Sequence, residues 1–206
     1  FITVNSSFFI VTEGQQAIVT QFGKPIGTAA TTAGMHFKTP FMQEVRYVDK
    51  RILNWDGSPD QIPTKDKKYI KVDTTARWQI IDALKFIQTV QNENGAKSRL
   101  DTILDGHTRD IISNHNLVEA VRNSNAIIEI IESKKVELQK RKDRGEPIIE
   151  EEISGDIAKI NVGRDKLSQL IVIKAQDECN ALGIKLIDVQ LRRISYEKSV
   201  ENKVYE

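Results

Sequence analysis

Glu13–Ile52 reads EGQQAIVTQFGKPIGTAATTAGMHFKTPFMQEVRYVDKRI, and no helical period fits it. Gly14, Gly23, Pro25, Gly34 and Pro40 cut it into short segments. Within Gln16–Phe22 the apolar residues Ala17, Ile18, Val19 and Phe22 fall on both faces. In Glu44–Ile52, Val48 and Ile52 share one face, and Val45 and Tyr47 the other. Beta-rich composition bounded by turn residues reads as strands in a small, tightly turned sheet. Pro25 cannot donate to a ladder, so Gly23–Lys24–Pro25 is expected to close the strand before it. Thr28–Ala33 has no pattern and reads as a loop. Met35–Met42 is apolar although flanked by Gly34 and containing Pro40. It is either a strand and corner buried under the sheet, or an exposed loop that meets lipid headgroups or a partner.

Upstream of that stretch, Phe8–Thr12 is expected to form a strand. The apolar start, Phe1–Val4 and Phe8–Val11, fits either a frayed first strand or the continuation of a membrane anchor. Downstream, Asp56–Gly57–Ser58–Pro59–Asp60 has turn chemistry at nearly every position, and the domain boundary is placed there. Tyr69–Ile80 alternates strictly. Ile70, Val72, Thr74, Ala76, Trp78 and Ile80 share one face, and Lys71, Asp73, Thr75, Arg77 and Gln79 the other. That is a half-buried antiparallel strand.

From Asp82 the period becomes helical. Asp82 caps a helix over 83–90, and Asn92–Gly95 ends it. An amphipathic helix follows over 96–114, with Leu100, Ile103, Leu104, His107 and Ile111 on its stripe. Asn116 caps a short helix to Arg122, and a longer one begins near Ser124. Gly145–Gly155, with Glu150–Glu152 beside Pro147, reads as an exposed insertion. Helix returns over 163–182 with Gly183 as its C-terminal stop. Ile184–Ile194 is a second strand, with Ile187, Val189 and Leu191 assigned to one face and pairing expected with Tyr69–Ile80. Ser195 is expected to cap a final helix carrying Val200 and Val204 four residues apart. The fold class is α+β.

With 206 residues the chain can bury one large core or two small ones. Thirty basic residues against 29 acidic ones, a net charge of +1, give no global attraction for nucleic acid. The lone Cys179 excludes an internal disulfide. No apolar run is long enough to span a bilayer. There is no Gly-x-Ser-x-Gly elbow, no P-loop, no GxGxxG and no HExxH. His107 and His115 are eight residues apart, without ligand spacing, and Cys179 has no residue spaced to activate it. No catalytic, cofactor-binding or metal-binding residues are assigned, and the expectation is a non-enzyme that uses no cofactor.

EGQQAIVTQFGKP, AGMHFKTPF, VRYVDKRI, TKDKKYIKVDTTARWQI and LGIKLIDVQLRRISYEKSVENKVYE, in that order, resemble the SPFH (band 7) family of stomatins, prohibitins, flotillins and the HflK and HflC proteins, and the bacterial HflC-like branch most closely. The most diagnostic run is GMHFKTPF followed by VRYVDKR; Glu129–Val162 carries the least family information. The resemblance implies a β-rich membrane-proximal subdomain over 1–58, an α+β subdomain over 59–194 with a variable insertion around 140–162, and the start of a coiled-coil helix over 195–206. It implies a transmembrane helix before Phe1, with the domain on the periplasmic side of a bacterial inner membrane. Its implied partners are the lipid bilayer, an HflK-like subunit in a ring or cage, and an FtsH-like AAA+ membrane protease whose activity is modulated. Phe8, Phe9, Met35, Phe37, Phe41 and Met42 are the expected membrane contacts. Tyr196, Val200 and Val204 are the expected coiled-coil contacts. A stomatin- or prohibitin-like organiser without a protease role, and a hydrolase, are the alternatives.

Overall fold

The computed structural model describes residues 7–144 and 159–196. Nine strands and five helices follow one another through them. The strands are β1 (Phe8–Val11), β2 (Gln15–Gln21), β3 (Lys24–Ala30), β4 (Gly34–Phe37), β5 (Gln43–Asp49), β6 (Leu53–Asp56), β7 (Asp60–Pro63), β8 (Tyr69–Ile80) and β9 (Ile184–Tyr196). The helices, all between β8 and β9, are α1 (Ala83–Thr89), α2 (Glu93–Ser113), α3 (Leu117–Val121), α4 (Ala126–Asp143) and α5 (Arg164–Ala181). The α+β class read from the sequence is the observed one.

β8 organises the larger half. Its alternation is reproduced residue by residue: Ile70, Val72, Thr74, Ala76, Trp78 and Ile80 are all buried. β6 and β7 pair with it along one side, and β9 antiparallel along the other. The Asp56–Asp60 turn therefore joins two strands of one sheet, and β6 shares a sheet with β8 rather than with β1–β5. Its Trp55 is in the main core.

Helices cover the apolar face of this sheet. The Asp82 side chain caps α1 by accepting from the Lys85 amide at 3.0 Å. Asn92–Gly95, expected to end a helix, instead opens α2: the Asn92 carboxamide oxygen accepts from the Gly95 amide at 2.9 Å. α5 turns Leu167, Ile171, Ala175 and Cys179 inward at four-residue spacing, and all four are fully buried. Gly183 then makes the reversal into β9 with φ 75; a Cβ there would lie 2.4 Å from the Asp82 carbonyl oxygen.

β9 departs from the simple alternation. Bulges at its pairing with β8, between Arg77 and Trp78 and between Asp73 and Thr74, insert Ile187 and Arg192. The buried set is consequently Ile184, Leu186, Val189 and Leu191, and the inserted Ile187 is only half-buried. Nor does the strand stop at Ile194. Ser195 and Tyr196, expected to open a helix, pair with Lys71 and Ile70; the ladder offers their backbones partners that a cap would forgo. Val200 and Val204 lie outside the described residues, as do Gly145–Gly155 and Phe1–Val4.

The smaller half holds two sheets, β3-β2-β5 and β1-β4. β2 ends at Gln21, ahead of Gly23–Lys24–Pro25 as expected, and Lys24 and Pro25 open the next strand, with Pro25 opposite Thr20. Because β3 is an outer strand of its sheet, a missing N–H need leave no ladder bond unmade. The expected loop over 28–33 is likewise strand as far as Ala30. The halves are joined by packing and by hydrogen bonds. Ile18 and Val48 enter the main core. Gln16 Nε2 donates to the Ile80 carbonyl at 3.2 Å, and Gln79 Nε2 to the Lys50 carbonyl at 2.6 Å.

Candidate functional site

One end of the smaller half collects large apolar side chains on its surface. The β1–β4 register puts Phe8 opposite Phe37 and Ile10 opposite Met35. Directly opposite residues project from the same face, and this face points outward. Met35 is 69% exposed and Phe37 67%, and the Phe8 and Phe37 rings meet edge to face at 5.7 Å. Period two then sends Phe9 and Val11 the other way, into a small core with Ala17. Phe9, expected as a membrane contact, is only 7% exposed and stacks on His36 at 5.4 Å. It belongs to the interior.

Two turns extend this surface. The Lys38 amide continues the β1–β4 ladder by donating to the Ser7 carbonyl at 2.7 Å. Thr39–Met42 then turns the corner into β5. The Gln43 amide donates to the Thr39 carbonyl at 3.2 Å, and the Thr39 amide to Gln43 Oε1 at 2.7 Å. Phe41 and Met42 stand out from this corner. Gln43 pairs with Gln21, so the β2–β3 turn lies beside it. That turn is a two-residue loop, Phe22–Gly23, with φ of 50 and 79, the paired positive values of a type I′ hairpin.

Phe22 and Phe41 share an unusual combination. Phe41 has φ 68, so both are bulky residues in the left-handed region, which costs an L-residue about 1–2 kcal/mol. They are also the most exposed large apolar side chains described, at 80% and 83%. Neither ring recovers that cost by packing within the chain. Lys24 and Lys38 flank the two turns. Of the expected contacts, Phe8, Met35, Phe37, Phe41 and Met42 are on this surface. The sequence reading left out Ile10 and Phe22. Phe22 was legible as the first residue of a Phe-Gly two-residue hairpin loop, which must point its side chain off the sheet's end.

A second built-up locus lies at the base of α4. Glu119 on α3 is buried, and its carboxylate accepts three backbone N–H bonds: Asn161 at 2.7 Å, Val162 at 2.8 Å and Gly163 at 2.8 Å. Burial alone would push this carboxyl up. The amides of Asn161, Gly163 and Val162 outweigh it, with a smaller contribution from His115, and hold the group below the usual glutamate value. Two asparagines reinforce the join. Asn125 exchanges a pair of bonds with the backbone of Ile160, both at 3.0 Å, and Asn123 brackets Asp165. Residues 119–125 and 160–165 are thus fastened together where the chain leaves the body for α4 and returns to α5. On α4, Ile128 and Ile131 are half-buried, while Ile130 and Val136 are exposed.

The residues considered for chemistry stand apart. His107 Nε2 lies 2.9 Å from Glu178 Oε1, and His115 Nδ1 lies 2.7 Å from the Ile111 carbonyl oxygen. Among the described residues no group of three or more His, Cys, Asp or Glu is placed to hold a metal ion. No described helix is long and apolar enough to cross a membrane. Cys179 is fully buried, and burial, with a smaller push from Glu178, raises its thiol to about 11. A disulfide-exchange reagent at pH 8 is therefore expected to label the native chain at least about 100-fold more slowly than the unfolded chain. Comparable rates would show that the α5 core opens readily.

A family model for the SPFH domain / Band 7 family matches residues 9–142. Protein HflC of Treponema pallidum (strain Nichols) is 37% identical over 201 residues, covering 96% of this chain and 59% of that protein. Protein HflC of Borreliella burgdorferi is 31% identical, over 98% of this chain and 60% of that protein. A protein of Escherichia coli K12 named Modulator of FtsH protease HflC is 25% identical, over 97% of this chain and 62% of that protein. The chain spans about 60% of the length of the curated relatives it matches.

Proposed function

The chain belongs to the SPFH domain / Band 7 family, and from that membership we propose that it is the membrane-proximal body of a non-catalytic scaffold that modulates an FtsH-like membrane protease. The observation that carries the membrane half of this reading is the one-ended apolar surface formed by Phe8, Ile10, Phe22, Met35, Phe37, Phe41 and Met42. Aromatic and thioether side chains flanked by lysines suit the headgroup boundary of a bilayer, where rings bury and ammonium groups stay wet. The protease half is supported by the name of the E. coli relative. In this reading the domain is anchored in a bacterial inner membrane and faces the periplasm. It assembles with an HflK-like SPFH subunit into a ring or cage, and modest lateral contacts gain strength by repetition. The proteolytic metal centre belongs to the partner.

Capture of the full-length protein from its own membranes tests the partner claim. An HflK-like subunit and an FtsH-like protease are expected to co-purify; loss of the protease with retention of the scaffold would leave a membrane organiser and end the modulator reading. The bilayer claim has its own test. Replacing the exposed pair, Phe41→Ser with Met42→Ser, is expected to weaken flotation with anionic vesicles about tenfold or more without lowering Tm. A fall in Tm would mean that the corner holds the fold, and unchanged flotation that lipid is met elsewhere.

A further inference from the structure

Asn94–Gly95 is the only Asn–Gly pair in the sequence. An asparagine followed by glycine is chemically reactive, because no Cβ shields the glycine nitrogen and the glycine backbone turns freely. Asn94 is exposed, in the first turn of α2. The fold nevertheless requires the glycine. A Cβ at Gly95 would collide with the carbonyl oxygen of Val90, at the end of α1, so no side chain can take its place. The corner between the two helices is tight: Gln91 takes φ 67, and the Asn92 amide donates to the Val90 carbonyl at 2.8 Å. Two features keep the reactive atoms apart. The Gly95 N–H is engaged, donating to Asn92 Oδ1 at 2.9 Å. Helical backbone at Asn94 also holds its side-chain carbon off the line of attack. The two Asp–Gly pairs of the described residues are held more firmly. The Gly57 N–H donates to the Thr74 carbonyl at 2.9 Å, and Gly106 lies in the interior of α2.

We propose that Asn94 is a site of spontaneous covalent modification, gated by the Asn92 cap. When the first turn of α2 frays, the Gly95 nitrogen loses its proton to base, attacks Cγ of Asn94 and expels ammonia, closing a five-membered imide. Water then opens the ring at either carbonyl. One product is aspartate. The other is isoaspartate, in which the main chain runs through the former side chain. The balance is asparagine plus water to acid plus ammonia. Helix ends open at low cost, so the reaction runs through a small open fraction, and the cap sets the size of that fraction. The two products act differently. Aspartate at 94 adds negative charge to a first helical turn, where the helix dipole favours it. Isoaspartate lengthens the main chain by one methylene, which carries Gly95 away from the Asn92 oxygen and from its slot beside Val90. Asn94 lines a cleft of about 520 Å³ together with Phe86, Ile87 and Gln91, and with Arg46 and Tyr47 of β5. The isoaspartyl form therefore loosens the corner at which α1 and α2 meet the smaller half.

Incubation of the folded chain in mildly alkaline buffer tests this, with each asparagine followed by peptide mass spectrometry that separates aspartate from isoaspartate. Conversion is expected at Asn94 ahead of every other asparagine, and more slowly than in the guanidinium-unfolded chain. Asn92→Ala removes the cap and should speed conversion about fivefold, the population change that loss of one cap produces. Asn92→Asp keeps an acceptor for the Gly95 N–H and should convert at the natural rate. The isoaspartyl fraction, separated by charge and hydrophobicity, is expected to melt about 2–4 °C below the unmodified chain. Asn94→Gln, carried through the same incubation, should keep its Tm. Asn94 left intact in both the natural chain and Asn92→Ala, while the unfolded chain converts fully, would overturn the proposal. Equal rates in the natural chain and Asn92→Ala would overturn the gating by the cap.

Discussion

Glu119→Ala is expected to lower the stability of the domain by about 3–5 kcal/mol, the largest loss for any single surface-remote substitution considered. The side chain makes few apolar contacts worth that amount; the cost comes from the three amides it serves. Leaving a buried N–H without an acceptor costs about 1–3 kcal/mol, and Asn161, Val162 and Gly163 would lose theirs together. Water entering the gap recovers part of this, which keeps the total below the sum. Glu119→Gln is also destabilised, because its amide group presents donors to donors. The pH dependence follows in sign. The folded carboxyl is held below its ordinary value, so its contribution is complete above the unfolded glutamate pKa of about 4.3. It is lost as the pH falls through the lower folded value. Stability curves of the native chain and of Glu119→Gln are therefore expected to converge on acidification below about pH 4, measured by urea unfolding. Parallel curves would show that the carboxylate's charge is not what binds the amides. Hydrogen exchange should locate the effect: amides of 160–165 and the root of α4 are expected to lose protection first.

Glu119 also shows where sequence reading ends. A lone glutamate on a five-residue helix has no motif, and its partners are backbone groups 42 to 44 positions away. Composition and periodicity report on neighbours in the chain or on one face of one element. β8 was legible because one face is buried along its whole length, so alternation alone fixed which residues point inward. β9 is similarly apolar, yet two bulges break its alternation and leave the inserted Ile187 half-buried where Val189 and Leu191 are buried. Bulges come from the register against a partner, which the strand's own residues do not encode. The same holds for Phe8 and Phe9: period two requires one to face in, and only pairing with β4 decides that it is Phe9. Gly23–Lys24–Pro25 correctly marked the end of β2, but the strand that begins there was not legible, since a proline is tolerated in a strand that has a neighbour on one side only. At the apolar end, chemistry was readable and orientation was not. GMHFKTPF announces large side chains in turn-rich context, compatible with a buried corner or an exposed one, and the two differ only in what the folded chain leaves above it.

Phe22→Gly combined with Phe41→Gly is expected to separate stability from membrane binding, moving them in opposite directions. Glycine adopts φ of 50 and 68 without the clash that phenylalanine suffers there. Relief of about 1–2 kcal/mol at each site is offset by about 0.5–1 kcal/mol of added freedom in the unfolded chain. With both rings exposed, little packing is lost. Tm is thus expected to stay level or rise by a few degrees. Vesicle binding should move the other way. A phenylalanine taken from water into an apolar phase contributes about 1.5–3 kcal/mol, and two rings only partly inserted still amount to about 3 kcal/mol, close to a hundredfold in partitioning. A fold optimised for its own stability would place glycine or asparagine in both turns. Keeping two solvent-facing rings in strained backbone makes sense where the rings have somewhere else to go, and residues held at such cost concentrate at functional sites. Flotation with anionic vesicles, run beside thermal unfolding, decides the matter. Binding that survives the double substitution would remove Phe22 and Phe41 from the contact surface and leave their strain without a function. A stable double variant that no longer floats would identify the two turns as the points at which this domain enters the headgroup layer.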